Sequence, residues 1–457
     1  MTGISSLYTA LSGMQAQSKV LELTGHNVAN AATPGYHRQR AELQAVGNST
    51  PGLFTGAGAR NYGVKVIGVT RSFDELFAAR SVREEAGRSA TSLTSSTLSQ
   101  LQAAIPEPSA NGIASQLDAF WGAWSDVSNQ PDNLAVRTQL LADATTLTTS
   151  LHSTAADITS LKDTAVTQLA TLGVDANALA TQIATSNKAI MANPEGSLDL
   201  LDQRGQLMTS LAKLTGAVSR PGQSGQIEVT IGGRSIVSGS QSYAIDGAGG
   251  TLHWASDNQA VGAPSGEAAA LTATITDLAP RYTGAIDAVA ASLVTAVNAL
   301  HTAGYDQAGV SGHQFFDPAN VTAATISLSV DVDGLPANVA AGQPVVPGPV
   351  APGPLDGEQA RQIAALAEST TGPDSKYQSL ISNLAVETSV ATQRADLQDQ
   401  VADTANTQAD SVGAVSIDEE MANLTAAQRA FEASGRVLTA VDDMLGFLLE
   451  HTGVVGR

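Results

Sequence analysis

The chain has 457 residues, a formal net charge of −20 and no cysteine. That length exceeds the size at which one hydrophobic core keeps growing, so several domains are expected; the acidic balance repels phosphate backbones and anionic membrane surfaces alike, and no disulfide or thiolate metal site can form. Apolar residues make up 43% but aromatics only 4%, a composition suited to thin, closely packed Ala/Leu/Val helices rather than to a bulky enzyme core.

Residues 1–30 place Ile4, Leu7, Leu11, Met14 and, past Ser18, Leu21 at helical spacing along one narrow stripe. Pro34 and Gly35 then suit the two central positions of a type II turn, which ends that helix. Alternation over 63–69 predicts a short strand. Helical spacing returns from Phe73 to about Ile105, stopped by Pro106 and Pro108. Further helices are expected at 113–128, 133–172, 174–192 and 198–214, broken at Pro131, at Gly173 and at the turn Asn193-Pro194-Glu195-Gly196.

From 217 to 276, Gly-rich turns between β-branched runs such as 227–231 predict a β-rich outer domain inserted between helices. Ala285, Val289, Leu293, Val297 and Leu300 make 277–300 helical. Prolines 336, 344, 347, 349, 352 and 354 predict an extended or disordered surface loop over 336–356. Helices resume at 357–369 and 374–412. The last runs from Ser416 to about Glu450, opened by a capping box, Ser416-Ile417-Asp418-Glu419. Its seam is Ile417, Leu424, Ala427, Phe431, Leu438, Val441, Leu445 and Leu448, interrupted by Glu420 and Ser434.

The expected fold is mainly α, elongated and multidomain, with an inserted small β domain and the N- and C-terminal helices paired as a coiled coil. Its divisions are 1–45, 46–216, 217–276, 277–335, 336–356, 357–413 and 414–457. Opposite charge favours pairing of the ends, because Lys19, Arg38 and Arg40 against Glu22 give +2 over 1–40, while residues 416–451 carry seven acids and two arginines, −5. Each stripe is too narrow to repay the ordering of its helix, so both helices are expected to order on docking to neighbouring copies. Periodicity by itself also leaves open an ordinary domain whose termini are helical and close.

HNVANAATPGYHRQR at 26–40 and SIDEEMANLTAAQRAFEASGRVLTAVDDMLGFLL at 416–449 resemble the N- and C-terminal signatures of flagellar rod, hook and hook-associated axial proteins. The interior, with DLLDQRGQLMTSLAKLTG at 199–216 and SGEAAALTATITDL at 265–278, resembles the hook-associated protein 1 family rather than rod or hook proteins. His37 stands where that family usually has Ser, a change expected to be harmless on an exposed turn. The resemblance implies a secreted, extracellular structural adaptor between hook and filament, needed for filament assembly and exported by the flagellar type III channel. It also implies a ring of copies, contacts with hook protein and a second hook-associated junction protein, and a cytosolic export chaperone on the C-terminal helix. Neither cofactor nor metal is implied, and neither nucleic acid nor membrane is an expected partner. Candidate subunit-interface residues are Leu7, Leu11, Met14 and Leu21; Asn27, Asn30, Thr33, Pro34, Gly35 and Tyr36; and Ile417, Leu424, Phe431, Leu438, Val441, Leu445 and Leu448, with Leu424, Phe431 and Leu438 as anchors. The alternatives are another axial component, hook or distal rod, and a secreted enzyme or adhesin whose site would lie in 217–275.

Enzyme motifs are weak. The seven histidines are scattered, and no H-E-x-x-H, G-x-S-x-G or Walker sequence occurs. Gly56-Ala57-Gly58 starts like a dinucleotide fingerprint but has Asn61 at the third Gly; Asp331-Val332-Asp333-Gly334 lacks the other calcium ligands; Asp442 and Asp443 diverge on a helix.

Overall fold

The computed structural model describes residues 2–46, 63–193, 197–344 and 351–452. Its helices are α1 (Thr2–Asn30), α2 (Glu75–Ala104), α3 (Ile113–Asn129), α4 (Leu134–Ala192), α5 (Leu198–Thr215), α6 (Gly266–Ala273), α7 (Ala279–His301), α8 (Glu358–Ala364), α9 (Pro373–Gly413) and α10 (Ile417–Thr452). Its strands are β1 (Gln39–Val46), β2 (Gly63–Arg71), β3 (Val218–Pro221), β4 (Ile227–Ile231), β5 (Arg234–Ser238), β6 (Gln241–Ser242), β7 (Ile245–Asp246) and β8 (His253–Trp254). Two compact units result: Met1–Ala86, Ala176–Ala244 and Gln400–Arg457 form the first, Gly87–Asp175 and Ile245–Asp399 the second.

In the first unit, β1 and β2 pair antiparallel against α1, and β3–β6 form a meander in chain order. The meander is fastened by the buried Asn187 of α4, whose amide donates to the carbonyls of Ile227 and Gly239 and accepts from Ile227 N. Arg204 of α5 donates to Asn187 Oδ1 and to Gly225 O; burial lowers its pKa to about 10, so it stays charged at neutral pH. Gly216, at φ +68, ends α5 in the left-handed conformation that glycine takes without strain.

The second unit is built around an aromatic cluster. Phe120 and Trp124 of α3 pack on Phe315 and Phe316, with α7 beneath through Ile286, Val289, Leu293 and Val297. Between α7 and α8 the described residues have almost no regular structure, so their backbone groups need side-chain partners. Asn298 bonds the amides of Phe315 and Phe316 and the carbonyl of Phe316. His301 donates from Nδ1 to His313 O and accepts Ala340 N–H at Nε2; burial lowers its pKa to about 4 and keeps it neutral. Arg137 donates to the carbonyls of Pro131 and Val339.

Several expectations change. Gly173 does not break the helix, for α4 runs on to Ala192. A Cβ there would lie 3.1 Å from Gly247 N, so the glycine admits the β7–β8 hairpin. The segment 217–276 is divided: β3–β6 belong to the first unit, β7–β8 to the second, and 266–276 is helical. Its threonines read as β-branched, yet Thr274 and Thr276 bond back to the carbonyls of Ala270 and Thr272, as helical threonines can. The start of the Pro-rich stretch is not a surface loop, since Val339, Ala340 and Ala341 are buried. Glu195, Pro347, Pro349, Gly56, Ala57, Gly58 and Asn61 lie outside the described residues. Gly266–His301 is long and apolar enough to cross a membrane, but here it is a core helix carrying Asp277, Arg281 and Asp287.

Candidate functional site: the paired chain ends

α1 and α10 run antiparallel. Asn27 meets Glu420, and a Cβ on Gly13 would sit 3.9 Å from Ser434 Cβ, so fourteen residues on one helix match fourteen on the other. Continued, this register brings Thr2 level with Leu445 and leaves 446–452 with no residue of α1 opposite.

On α10, the line through Glu420, Leu424, Ala427, Phe431, Ser434, Leu438, Val441 and Leu445 is buried or half-buried, and Glu420 and Ser434 place it against α1. Ile417 and Leu448, the ends of the seam expected from sequence, are exposed. On α1, the buried face is not the expected stripe. It is the small-residue line through Ala10, Gly13, Ala16, Val20, Leu23, Thr24 and Asn27, because small side chains let α10 approach closely. Leu7, Met14 and Leu21 are half-buried beside it and Leu11 is 39% exposed; the side chain of Ile4 lies outside the described residues.

The turn signature closes this pair with a buried polar knot. Pro34 and Gly35, the latter at φ +72, reverse the chain as expected, with Tyr36 N–H donating to Thr33 O. Asn30 bonds back to His26 O, and Thr33 donates to Asn30 Oδ1. The returning strand reaches Asn27, whose amide is fully used: Oδ1 accepts from Tyr36 Oη (2.8 Å) and Gln39 N (2.9 Å), while Nδ2 donates to Gln39 O and Glu420 Oε2 (both 2.9 Å). Burial, with Asp199, Asp202 and Glu420 nearby, raises the Tyr36 pKa and keeps its hydroxyl a donor. Arg38 ion-pairs through Nε with Glu420, 2% exposed, at 2.6 Å, and donates from an η nitrogen to Glu419 Oε2 at 2.9 Å. Ser416 Oγ does accept Glu419 N–H, but the Glu419 carboxylate turns to Arg38 instead of completing the capping box.

A third segment, 199–206 on α5, joins the knot. Buried Asp202 accepts from His37 N (3.0 Å), His37 Nδ1 (2.7 Å) and Arg71 (2.6 Å), and Arg71 lies over the Phe73 ring. His37 is therefore not on an idle exposed turn. Gln39 donates to Asp199, and Gln206 to Pro34 O. Sequence reading singled out all three segments but missed Arg38, Glu420 and Asp202 as hubs. The available signal was a carboxylate interrupting an otherwise apolar seam.

Beside the α1-facing seam, α10 carries a second stripe at the same spacing: Ala422, Ala426, Ala430, Ala433, Val437, Ala440, Met444 and Phe447, none of them charged. Val437, Met444 and Phe447 are 49%, 59% and 61% exposed, and Leu449 is 77% exposed. Between α1, β1 and α10 lies a cleft of about 720 Å³ lined by Val20, Leu23, Ala426 and Ala430 and rimmed by Arg40 and Glu419. Among the described residues no cluster of three metal-ligating side chains occurs; Asp331 accepts Gln314 N–H, and Asp442 and Asp443 are exposed.

Known proteins resemble this chain over nearly its whole length. The flagellar hook-associated protein FlgK helical domain matches residues 98–316, the C-terminal region of flagellar basal body rod proteins FlgEFG matches 413–450, and the flagella basal body rod protein family matches 7–37. Flagellar hook-associated protein 1 of Bacillus subtilis is 25% identical over 99% of both chains. That of Salmonella typhimurium is 26% identical over 67% of this chain and 58% of its own. In fold, the flagellar hook junction protein FlgK from Burkholderia pseudomallei superposes with a TM-score of 0.65 at 15% identity, covering 74% of this chain and all of that one. In sequence and in fold the chain is thus similar to the flagellar hook-associated protein 1 family, a family of structural proteins of the flagellum.

Proposed function

We propose that this chain is the adaptor that joins hook to filament, assembling as a ring whose terminal helices line the inner wall. One observation carries the reading. Two signature segments, 393 residues apart at Asn27 and Glu420, close on each other inside one chain, yet the closed pair keeps an apolar stripe on α10 and Leu11 on α1 open to solvent. Such a pair is complete as a fold and incomplete as a surface. Neighbouring copies, hook protein below and a second junction protein above, would cover those faces through heterologous contacts. The candidate interface residues then divide by role. Asn27, Asn30, Thr33, Pro34, Gly35 and Tyr36 build the knot, and Leu424, Phe431 and Leu438 hold the pair together, so docking falls to Leu11, Ile417, Leu448 and the second stripe.

Export through the type III channel and extracellular placement follow from this role. A cytosolic chaperone would shield the apolar end of α10 before export. The test is a strain lacking the gene: it should build hooks, shed filament subunits into the medium and recover filaments on complementation. Normal filaments in that strain would overturn the proposal, and loss of hooks would favour a hook or rod protein instead.

A further inference from the structure

The α1–α10 interface repeats itself. Apolar side chains recur every three or four residues on both helices, so sliding one helix by a turn again sets apolar against apolar, and packing discriminates weakly between registers. The two interruptions differ from turn to turn. Ser434 sits against Gly13, where an added Cβ would lie 3.2 Å from Ser434 Oγ, and Glu420 sits where Arg38 and Asn27 converge. A one-turn slip carries Glu420 level with Leu23 in one direction, or with Asn30, the last residue of α1, in the other. Either slip leaves Arg38 buried without its carboxylate and puts the carboxylate against an apolar side chain or at the helix end.

We infer that Glu420, read by Arg38 and Asn27, is the positioning residue that sets the register of the two chain ends. The polar pair contributes specificity of alignment rather than net stability, as a lone buried polar group does in other two-helix seams. The rival determinant is the three-residue connection Ala414–Ser416, anchored where Arg38 N donates to Gly413 O at 2.9 Å. The inference concerns the isolated chain and stands or falls apart from the assembly role.

The cysteine-free sequence allows a direct test. Gly13→Cys with Ser434→Cys reports the native register, because a Cβ at 13 lies 3.9 Å from that of Ser434, within the span of about 3.5–4.5 Å that disulfides need. Gly13→Cys with Ala430→Cys, or with Val437→Cys, reports slips of one turn. In the full-length parent, the native pair should oxidise about tenfold faster than either slipped pair. With Arg38→Met and Glu420→Leu together, an apolar replacement that keeps the helices paired, the preference should fall to about threefold or less. Glu419→Gln, which removes only Arg38's exposed partner, should leave it unchanged. Retention of the native preference in the double variant, with helicity and unfolding midpoint preserved, would overturn the inference in favour of the connection 414–416. Equal loss in Glu419→Gln would overturn it too, by making charge rather than position decisive.

Discussion

Glu420 and Glu419 are adjacent in sequence and share Arg38, yet their environments set very different roles. Glu420 is buried against Arg38 and Asn27, so Glu420→Ala leaves a buried cation unpaired and should lower the stability of the first unit by about 3–5 kcal/mol in urea unfolding. Glu419→Ala, at an exposed partner, should change it by less than about 1 kcal/mol. His301 gives the second unit a pH response. Its folded-state pKa of about 4 lies below the unfolded value of 6.5, so the unfolded chain binds the proton first as pH falls. Stability is complete above about pH 6.5 and declines toward pH 4, by about 3 kcal/mol in all. Urea midpoints at pH 7 and pH 5 should differ, and a folded His301→Gln chain should lose most of that difference. At this scale the sequence revealed residue types but not hubs. Asp202 and Glu420 each look like one acid among many, and only the fold supplies partners 165 and 393 residues away.

Among the elements, long helices were legible because their apolar periodicity is sustained, and the α10 seam was read almost residue by residue. β1 was not, since its side chains are mostly exposed and show no apolar face to alternate. The α1 stripe misled for a related reason. Leucines attract attention, but closest approach is made by the small-residue line through Gly13 and Ala16. Gly173 misled because glycine in a helix costs only about 1 kcal/mol, an amount tertiary contact offsets when a hairpin must pass nearby. Gly173→Val should therefore displace the β7–β8 hairpin and destabilise the second unit by about 1–3 kcal/mol, measurable by thermal unfolding. On α10, Val437→Asp with Met444→Asp alters only exposed positions. Monomer stability should stay within about 0.5 kcal/mol per site, while incorporation at hook ends, scored by filament recovery, should be lost. By contrast, Leu424→Asp or Phe431→Asp should unfold the pair itself, visible as lost helicity before any assembly step.

For the molecule as a whole, the buried polar knot sits at one end of the α1–α10 pair. Near Asn27 and Glu420 the helices are fastened by buried bonds; farther along, solvent reaches Tyr8 and Leu11 of α1 and Met444 and Phe447 of α10, and 446–452 extend beyond α1. The poor order expected of both helices in the monomer thus becomes an expectation of graded order, with docking finishing what the knot begins. Hydrogen exchange on the isolated chain and on chains bound at purified hook ends measures this directly. Protection should be strong at 20–30 and 417–431 in the monomer, weak at 2–9 and 438–452, and uniform along both helices after docking. Uniform protection in the monomer, unchanged by hooks, would contradict the central claim that the paired ends are completed by their neighbours.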